Sequence, residues 1–595
     1  MLLLISTLSS GQDGTDALLA AQYFRQGEFA KAAALYEKLV QGNPTPVIYQ
    51  NYLECLFNLN HFPEAERLVK SRARTFPNDV MYEVDLGWVL DRWGKTRDAQ
   101  RHFNRLVSSL KADPSQVHAL ATAFRNRDYL DMALEAYLRG RTLLGQRHSL
   151  HLSIADLHNQ RGDFGAMMNE YIDYLEVNMA SMIRVQGVLQ DAIANDTNFQ
   201  KNEALRGVLL GRTQRNPTNM LYSHMLLWLT IQQKDFRLAF TQARAIDKRL
   251  RQDGELVLNV AILAATNQEY SVAADAYRYL MEKGFSSTFY LDAKIGLLNV
   301  RFKQATSGYH INKNDLIQVE KEYLQALQEL GVSAQTVSLV RNLANLQAFF
   351  LGNPAEAIDL LERTLGLPGM NQLTIAECRI ELADILLLSG QVWDATLLYS
   401  QVDKLLRDHP LAHEAKFKNA RLSFYIGEFE WAKAQLDVLK AGTSRLIAND
   451  AIKLSLKIQD NTGENQDTRA LQMYARAELL AFMNRFDQAI IVLDSVSHHF
   501  STHQIVDDVL MARAEIKLLQ GLYSEADELL ALIVKNHPRG LLADEALFRR
   551  AELHERVLSN RELARDLYFQ LLQSYPGSLN SVTARNRWRE LRDPS

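Results

Sequence analysis

A small or sulfur-bearing apolar residue returns at an almost constant interval along the first third of the chain. Ala32, Ala65, Ala99, Ala133 and Met167 are separated by 33, 34, 34 and 34 residues. A constant interval of this length is the signature of a repeat architecture. One repeat of this size cannot bury its apolar side alone, so a chain with this period is expected to stack its repeats into a continuous array.

The residues around these positions recur as well. A Gly or polar residue lies five positions before the small residue, an aromatic or aliphatic residue lies four after, and a proline often follows about twelve after. In the first unit these are Gly27, Tyr36 and Pro44. Small residues suit a close helix crossing, large residues fill the space one turn later, and proline prevents a helix from continuing. The same pattern returns around Ala239, Ala273, Ala357, Ala395, Ala432, Ala489, Ala526 and Ala564.

This pattern resembles the tetratricopeptide repeat family, whose unit is a pair of antiparallel helices, A and B. The resemblance implies an all-α fold, a right-handed superhelical solenoid of antiparallel helix pairs. It also implies a concave surface, lined chiefly by A helices, that binds peptides or other proteins. The carboxy-terminal half is similar to the lengthened repeats of large bacterial envelope proteins of this family.

The intervals lengthen toward the carboxy terminus, to 38 residues from Ala357 to Ala395 and 37 from Ala395 to Ala432. Three or four extra residues are one helical turn, so longer helices are expected there. We therefore predict four segments: a truncated signal at residues 1–12, a regular array at 13–180, irregular repeats at 181–350 with an insertion near 304–314, and a longer-helix array with a capping helix at 351–595.

Three longer intervals interrupt the array, and the one between Ala273 and Ala357 holds the irregular insertion near residues 304–314. Between Met167 and Ala239 we expect one long helical stretch over residues 179–210. Between Ala432 and Ala489 we expect the excess in the polar loop 460–467. Such breaks arise by divergence of a repeat, or they mark a hinge or a working surface.

Composition narrows the class of partner. Of 595 residues, 47% are hydrophobic and 23% are charged, and only 12 are proline, which favours one folded array without linkers. The formal net charge is −4, and both signs are interspersed. Nucleic-acid binding normally requires a basic field, so we expect proteins or peptides as partners and no nucleic acid.

The amino terminus carries an apolar run, residues 1–8, followed by the small residues Ser9, Ser10 and Gly11. This is typical of the end of a secretory signal, although the basic start is missing. A truncated signal predicts a periplasmic or envelope-associated protein; an ordinary terminus leaves a cytoplasmic one. The most apolar later stretch, residues 225–231, is far too short to span a membrane, so no transmembrane segment is expected.

No arrangement of residues points to catalysis. The sequence has no phosphate loop, nucleophile elbow, paired CxxC, HExxH or EF-hand motif. His498, His499 and His503 form a cluster that we interpret as a solvated or capping loop. Cys55 and Cys378 are far apart and are expected to be buried and inert. We expect no enzyme activity, no cofactor and no metal.

The family resemblance implies which side chains face the groove. In this sequence the matching positions are Gln50, Glu54, Trp88, Asp91, Arg549 and Arg556. Trp88 is equally consistent with a core residue. The last helix carries four arginines around Trp588, and we interpret it as a solvated cap, with contact to an anionic surface as the alternative. The expected function is a non-enzymatic scaffold or assembly factor of the bacterial envelope, or alternatively a cytoplasmic adaptor or regulatory subunit.

Overall fold

A computed structural model describes residues 5–41, 44–145, 148–196, 198–308, 311–442, 444–462 and 467–592, without the side chains of residues 5–14, 441, 442 and 445. Within these ranges the chain forms 32 α-helices and no strand. The expected all-α repeat fold is therefore confirmed. None of the described helices is long and apolar enough to cross a membrane.

Contacts divide the chain into two units, Met1–Asp235 and Phe236–Ser595. Unit 1 contains helices α1 (Ile5–Arg25), α2 (Phe29–Leu39), α3 (Pro46–Asn58), α4 (Phe62–Thr75), α5 (Val80–Arg92), α6 (Thr96–Ser108), α7 (Pro114–Asn126), α8 (Leu130–Leu144), α9 (His151–Gln160), α10 (Phe164–Val177), α11 (Met182–Ala194), α12 (Gln200–Arg215) and α13 (Met220–Gln232). A short 3₁₀ helix, Met179–Ser181, precedes α11.

Unit 2 begins with α14 (Phe236–Leu250), α15 (Glu255–Thr266), α16 (Tyr270–Met281), α17 (Tyr290–Thr306), α18 (Lys313–Leu330), α19 (Val337–Asn345), α20 (Pro354–Leu365), α21 (Gln372–Leu388), α22 (Val392–Leu406) and α23 (Pro410–Tyr425). It continues with α24 (Phe429–Gly442), α25 (Arg445–Asp460), α26 (Arg469–Phe482), α27 (Phe486–His499), α28 (Val506–Leu519), α29 (Tyr523–Asn536), α30 (Ala543–Arg556), α31 (Arg561–Ser574) and α32 (Ser581–Arg592). One turn of π-helix, Leu346–Phe350, follows α19.

The turns between paired helices share one backbone feature. The residue five positions before each small residue has a positive φ, for example +75° at Gly27 and +59° at Asn60. Residue 28 then donates its backbone N–H to the Tyr23 carbonyl, which closes the end of the first helix. The equivalent residues with positive φ are Gly94, Asp128, Gly162, Lys234, Gln268, Gly352, Gly390, Gly427, Asn484, Gly521 and Ser559.

The small residues are needed where the two helices of a pair cross. Ala32, Ala65 and Ala133 are fully buried, and Tyr36, four residues after Ala32, is 1% exposed. Gly87 shows how close the packing is, because a Cβ at this position would lie 2.0 Å from Phe103 Cε1. The apolar layers of unit 1 run continuously from one pair to the next, through three clusters that cover residues 20–89, 84–157 and 155–229.

Pro77, Pro538 and Pro576 lie two residues after the ends of α4, α29 and α31, as expected, but three other prolines have a different role. Pro46, Pro114 and Pro410 occupy the first turn of α3, α7 and α23, directly after a residue whose side chain accepts a hydrogen bond from the new helix. Proline is favoured there because its missing N–H and fixed φ suit the first turn. These prolines therefore begin the next helix.

The irregular stretches also differ from expectation. Residues 179–210 form α11 and part of α12, separated by a break in which the Asp196 carboxylate accepts from the N–H groups of Lys201 and Asn202. The excess between Ala432 and Ala489 is mainly an additional helix, α25. Residues 463–466 of the predicted polar loop lie outside the described residues, as do residues 1–4 of the predicted signal and Tyr309 and His310 of the predicted insertion.

Helix lengths vary within the predicted longer-helix segment. α21 and α23 have 17 and 16 residues, whereas α3, α5 and α7 have 13 each. Between Ala489 and Ala526 the helices keep 14 residues, and a turn over residues 500–505 takes up the extra length. The added residues thus lengthen helices between Ala357 and Ala432, whereas they lengthen a turn between Ala489 and Ala526.

Candidate protein-binding site

Two residues expected in the groove lie on α3. Gln50 is exposed, and Glu54 is half-buried with Arg92 4.0 Å from its carboxylate. Arg92 also lies over the Phe57 ring, 5.5 Å from the ring centre. Glu54 is therefore held near the end of α5, whereas Gln50 has free solvent around it.

Trp88 and Asp91 lie on α5 and contact the neighbouring pairs. The Trp88 ring packs edge-on against Phe57, with 4.7 Å between ring centres, and the Arg127 guanidinium lies 3.9 Å from its centre. Asp91 accepts a hydrogen bond of 2.8 Å from the Tyr129 hydroxyl. Trp88 is half-buried, so it joins the packing of three helix pairs and keeps one part of its ring accessible.

A buried carboxylate, that of Asp85, connects the residues of this region, and it was not predicted from the sequence. Asp85 is fully buried, and its carboxylate accepts two hydrogen bonds from Arg127, of 2.6 and 3.0 Å, and one of 3.0 Å from the Tyr49 hydroxyl. A buried carboxylate needs such partners because burial alone strongly disfavours its charge. Asp85 thus holds Arg127 over Trp88 and joins α3, α5 and α7.

An open groove lies beside this cluster, between the α4–α5 turn and one side of α7. Its volume is about 700 Å³. Apolar side chains supply much of the lining, with amide, hydroxyl and imidazole groups among them. The lining residues are Thr75, Phe76, Pro77, Asn78, Asp79, Val80, Met81, His118, Ala119, Thr122, Ala123 and Asn126.

Neighbouring contacts hold the walls of the groove in place. Phe76 stacks on Tyr82 with 5.8 Å between ring centres, and Asp79 caps α5 by accepting from the Met81 N–H at 3.0 Å. His118 lies 3.4 Å from the Tyr137 hydroxyl. Burial, together with the nearby His148, holds the pKa of His118 below its usual value, so its imidazole is neutral at pH 7.

The two predicted residues of unit 2, Arg549 and Arg556, are already paired on α30. Arg549 contacts Glu515 at 2.8 Å and Glu545 at 2.7 Å, and Arg556 contacts Glu552 at 3.1 Å. Arg549 is half-buried and joins α28 to α30, whereas Arg556 is exposed. Neither of them is among the residues that line the groove of about 700 Å³ beside α7.

Unit 2 also carries a network of paired charges between successive first helices. Arg341 contacts Glu377 at 2.6 Å, and Lys418 contacts Asp384 at 2.6 Å. Each of these ion pairs links the first helix of one helix pair to the first helix of the neighbouring helix pair. The two residues of an ion pair lie 34 to 36 positions apart in sequence. Arg341 and Lys418 are therefore already bound to carboxylates within the chain.

Lys457 belongs to the same network of paired charges and has three partners. Its ammonium lies 2.9 Å from Glu478 and 3.3 Å from Asp508, and it donates a hydrogen bond of 2.8 Å to the Tyr474 hydroxyl. Burial raises the pKa of Glu478, but Lys457 more than offsets this effect and holds it below its usual value. The sequence contains a weak signal for this network of paired charges, namely charged residues within helices that are otherwise apolar.

One group in the described part of the chain has ligand types and spacing that suit a metal ion: His151, Glu170 and Asp173, whose ligand atoms lie within 4.8 Å of one another. Guanidinium groups already occupy the two carboxylates, because Arg141 contacts Glu170 at 2.7 Å and Arg212 contacts Asp173 at 2.6 Å. This donor set fits an ion-pair cluster better than a metal centre.

Other residues singled out from the sequence have structural contacts. Cys55 and Cys378 are buried, and burial raises the pKa of their thiols to about 12 and about 11. His503 accepts from the Ile505 N–H at 3.1 Å, next to the start of α28. Trp588 stacks on Phe569 with 5.5 Å between ring centres, which covers the apolar end of the last pair.

Comparison with known proteins gives limited similarity in sequence. The profile of the tetratricopeptide repeat matches residues 545–578, which include most of α30 and all of α31. No curated protein matches the sequence.

Comparison with solved structures gives matches of low sequence identity and low TM-score. The structure of the APC/C hetero-tetramer Cut9-Hcn1 is 11% identical, with 99% of this chain and 98% of that chain covered and a TM-score of 0.25. That of Naa15/Naa10 bound to HypK-THB is 12% identical, with 95% and 96% covered and a TM-score of 0.25. A tetratricopeptide repeat protein from Parabacteroides merdae is 13% identical, with 50% and 99% covered and a TM-score of 0.22.

These TM-scores are too low to bear on function. The profile match has independent support in the geometry of both units, where paired helices, a turn residue with positive φ and a buried small residue recur. The profile match identifies residues 545–578 as a tetratricopeptide repeat, and helix pairs with the same turn geometry recur in both units.

Proposed function

We propose that this protein is a non-enzymatic scaffold that binds a segment of a partner protein in the groove between the α4–α5 turn and α7. The fold is of a type that serves protein interaction. The open groove of about 700 Å³ is the observation that carries the proposal. Its apolar lining suits apolar side chains, and Asn78 and Asn126 offer amides to a peptide backbone.

The contrast between the two units supports this choice of surface. In unit 2 the first helices present cations that are already bound by carboxylates, such as Lys418 with Asp384 and Arg549 with Glu515. A ligand that competes for such groups must first separate a pair and desolvate both charges. The unit 1 groove has no such requirement, because apolar and amide groups dominate its lining.

Photo-cross-linking tests the site in the cell that makes the protein. Benzoylphenylalanine is placed at Ala119, an exposed groove residue of α7, and at Gln190, an exposed residue of α11 outside the groove. A discrete adduct that forms from position 119 and not from position 190 is the expected result. A filling substitution, Ala119→Trp, is expected to abolish the partner's co-purification, while Ala119→Ser retains it.

Equal cross-linking from both positions, or a partner that is retained by Ala119→Trp, would place the binding surface elsewhere. Circular dichroism of the Ala119→Trp variant provides the folding control. Because Ala119 is exposed, the larger side chain can fill the groove without entering the core.

The proposed location is the bacterial envelope, where the protein acts as an assembly factor. Its basis is the apolar run at residues 1–8 followed by small residues. Mass spectrometry of the carboxy-terminally tagged protein reads both the mature amino terminus and the cross-linked partners. A terminus near Gln12 with envelope partners supports this location. An intact Met1 with cytoplasmic partners overturns it in favour of a cytoplasmic adaptor or regulatory subunit.

A further inference from the structure

A shallow depression of about 350 Å³ lies on the exposed side of α4. Its lining consists of Arg67, Lys70, Ser71, Arg74 and Thr75. These positions follow the spacing of one helix face, so three cationic side chains and two hydroxyl groups point to the same space. We refer to this set as the α4 basic cradle.

The positive charge belongs to a wider part of unit 1. Helices α4 and α6 together carry seven Lys and Arg residues against three Asp and Glu residues, whereas the whole chain has a net charge of −4. The second helix of a later pair, α10, has three acidic residues and no Lys or Arg. The excess is therefore local and is not a general property of the second helices.

The intramolecular partners of the cradle are weak. Lys70 contacts Glu66 at 2.6 Å and Arg67 contacts Glu64 at 3.4 Å, but all four side chains reach solvent, and such pairs contribute about 0–1 kcal/mol each. Arg74 is exposed and has no ion pair with any residue that the structure describes. An external carboxylate therefore displaces little when it binds here.

The cradle and the proposed binding groove meet at one residue. Thr75, the last residue of α4, lines both of them. Arg74 directly precedes it, and Phe76 directly follows it in the groove wall. A bound chain that leaves the groove at this end passes onto the three cations.

We propose that the segment bound in the groove carries a short run of acidic residues next to its apolar part, and that Arg67, Lys70 and Arg74 bind these carboxylates. The inference rests on the proposed function and names the chemistry of the partner. Guanidinium groups suit the task because they donate two parallel hydrogen bonds to one carboxylate. The groove beside the cations is apolar, which favours a protein segment as the ligand. A nucleic acid or a lipid surface has no apolar chain segment that could fill this groove.

The first experiment measures the cradle without the groove. Fluorescence anisotropy follows binding of a labelled peptide of alternating Asp and Glu to the full chain at about 0.05 M salt, where exposed charges are weakly screened. The triple variant Arg67→Gln/Lys70→Gln/Arg74→Gln is expected to lose about tenfold in affinity. The matched variant Arg561→Gln/Arg585→Gln/Arg589→Gln removes three exposed cations from α31 and α32 and is expected to bind as the wild type does.

The second experiment separates this inference from the proposed function. Random peptides of about 16 residues, long enough to extend roughly 50 Å, are selected on the wild-type chain and then tested against variants. Peptides are expected to lose binding to Ala119→Trp, to carry acidic residues on one side of an apolar core, and to weaken on the triple variant. Circular dichroism of both triple variants shows that exposed substitutions leave the fold unchanged.

The outcomes are distinct. Peptides that depend on Ala119 but show no acidic bias, or bind the triple variant as tightly as the wild type, overturn the inference and leave the groove in place. Peptides that ignore Ala119→Trp overturn the proposed function. Equal losses in the two triple variants, or no binding of the acidic peptide, overturn the cradle. Tighter cradle-dependent binding of a single-stranded oligonucleotide or of phosphatidylserine vesicles overturns the assigned class of partner.

Discussion

Asn484 donates its side-chain amide to the backbone carbonyl of Phe349 at 3.3 Å, although 135 residues separate the two in sequence. The Phe349 ring also packs edge-on against Phe482, with 6.0 Å between ring centres. Met483 comes close to a third turn, because a Cβ at Gly390 would lie 3.2 Å from its Cε atom. Turns of pairs that are distant in sequence therefore meet within unit 2.

Two substitutions of Asn484 distinguish the contribution of its hydrogen bond to stability from that of its backbone conformation. Its φ is +56°, a region that costs roughly 1–2 kcal/mol for most side chains and little for glycine. We expect Asn484→Ala to destabilise the α26–α27 pair by about 1 kcal/mol more than Asn484→Gly, although both remove the amide. Hydrogen exchange of that pair measures the difference, and equal protection in the two variants would contradict the role of the conformation.

The Asp85 carboxylate is the acceptor for a largely buried guanidinium and a buried hydroxyl. Asp85→Ala leaves Arg127 and Tyr49 without their acceptor, and we expect a loss of about 3–5 kcal/mol in the stability of the surrounding pairs. Asp98→Ala, at an exposed residue of α6, is the control and is expected to change stability by less than about 0.5 kcal/mol. Urea denaturation followed by hydrogen exchange provides the comparison. A small loss of stability in Asp85→Ala would show that the Asp85–Arg127 ion pair is not needed for the stacking of the helix pairs.

Lys457→Met is expected to make the stability of unit 2 depend on pH. Without the ammonium, burial raises the pKa of Glu478 and of Asp508 above the values in the unfolded chain. Carboxyls with raised pKa destabilise the fold most when they are ionised, so the variant is expected to lose about 3–5 kcal/mol at pH 7 and to regain part of it as the pH falls toward 5.

Lys453→Met is the matched control, since Lys453 lies on the same helix, is 62% exposed and contacts Glu545 at 3.6 Å. It is expected to leave the stability and its pH dependence nearly unchanged. Urea midpoints at several pH values test both variants. A Lys457→Met variant that weakens further on acidification would contradict the assignment of the two carboxyls.

Neither thiol is expected to react in the folded protein. With pKa values of about 12 and about 11, Cys55 and Cys378 hold only about one thiolate in a thousand or fewer at pH 8, and both are buried. Labelling with N-ethylmaleimide is expected to proceed only after addition of urea. Modification within minutes under native conditions would show local opening of α3 or α21.

The sequence was informative wherever the structure depends on near neighbours. The 34-residue interval, the small residues and the turn residue five positions earlier predicted the helix pairs, and the buried Ala32 and the positive φ of Gly27 confirm them. Each pair is stabilised mainly by contacts within about 20 residues, so periodicity reports it directly. The tetratricopeptide resemblance followed from the same pattern.

Repeat periodicity was less informative where a segment departs from the repeat. α25 supplies most of the extra length that was expected in the loop 460–467, and a cap at Asp196 divides a stretch that looks continuously helical. Single capping contacts decide where such helices begin and end, and the average repeat length carries no information about these contacts. Pro114 shows the same limit, because it begins a helix instead of ending one.

The sequence by itself therefore determined the class of the fold and the helix pairs, because both follow from residues a few turns apart. Tertiary structure alone decided which side chains meet across stacked pairs. Asp85 with Arg127 and Lys457 with Glu478 lie 42 and 21 residues apart, and no periodic signal marks either pair. The groove exists for the same reason, since its walls come from the α4–α5 turn and from α7, which only the packing of successive pairs brings together.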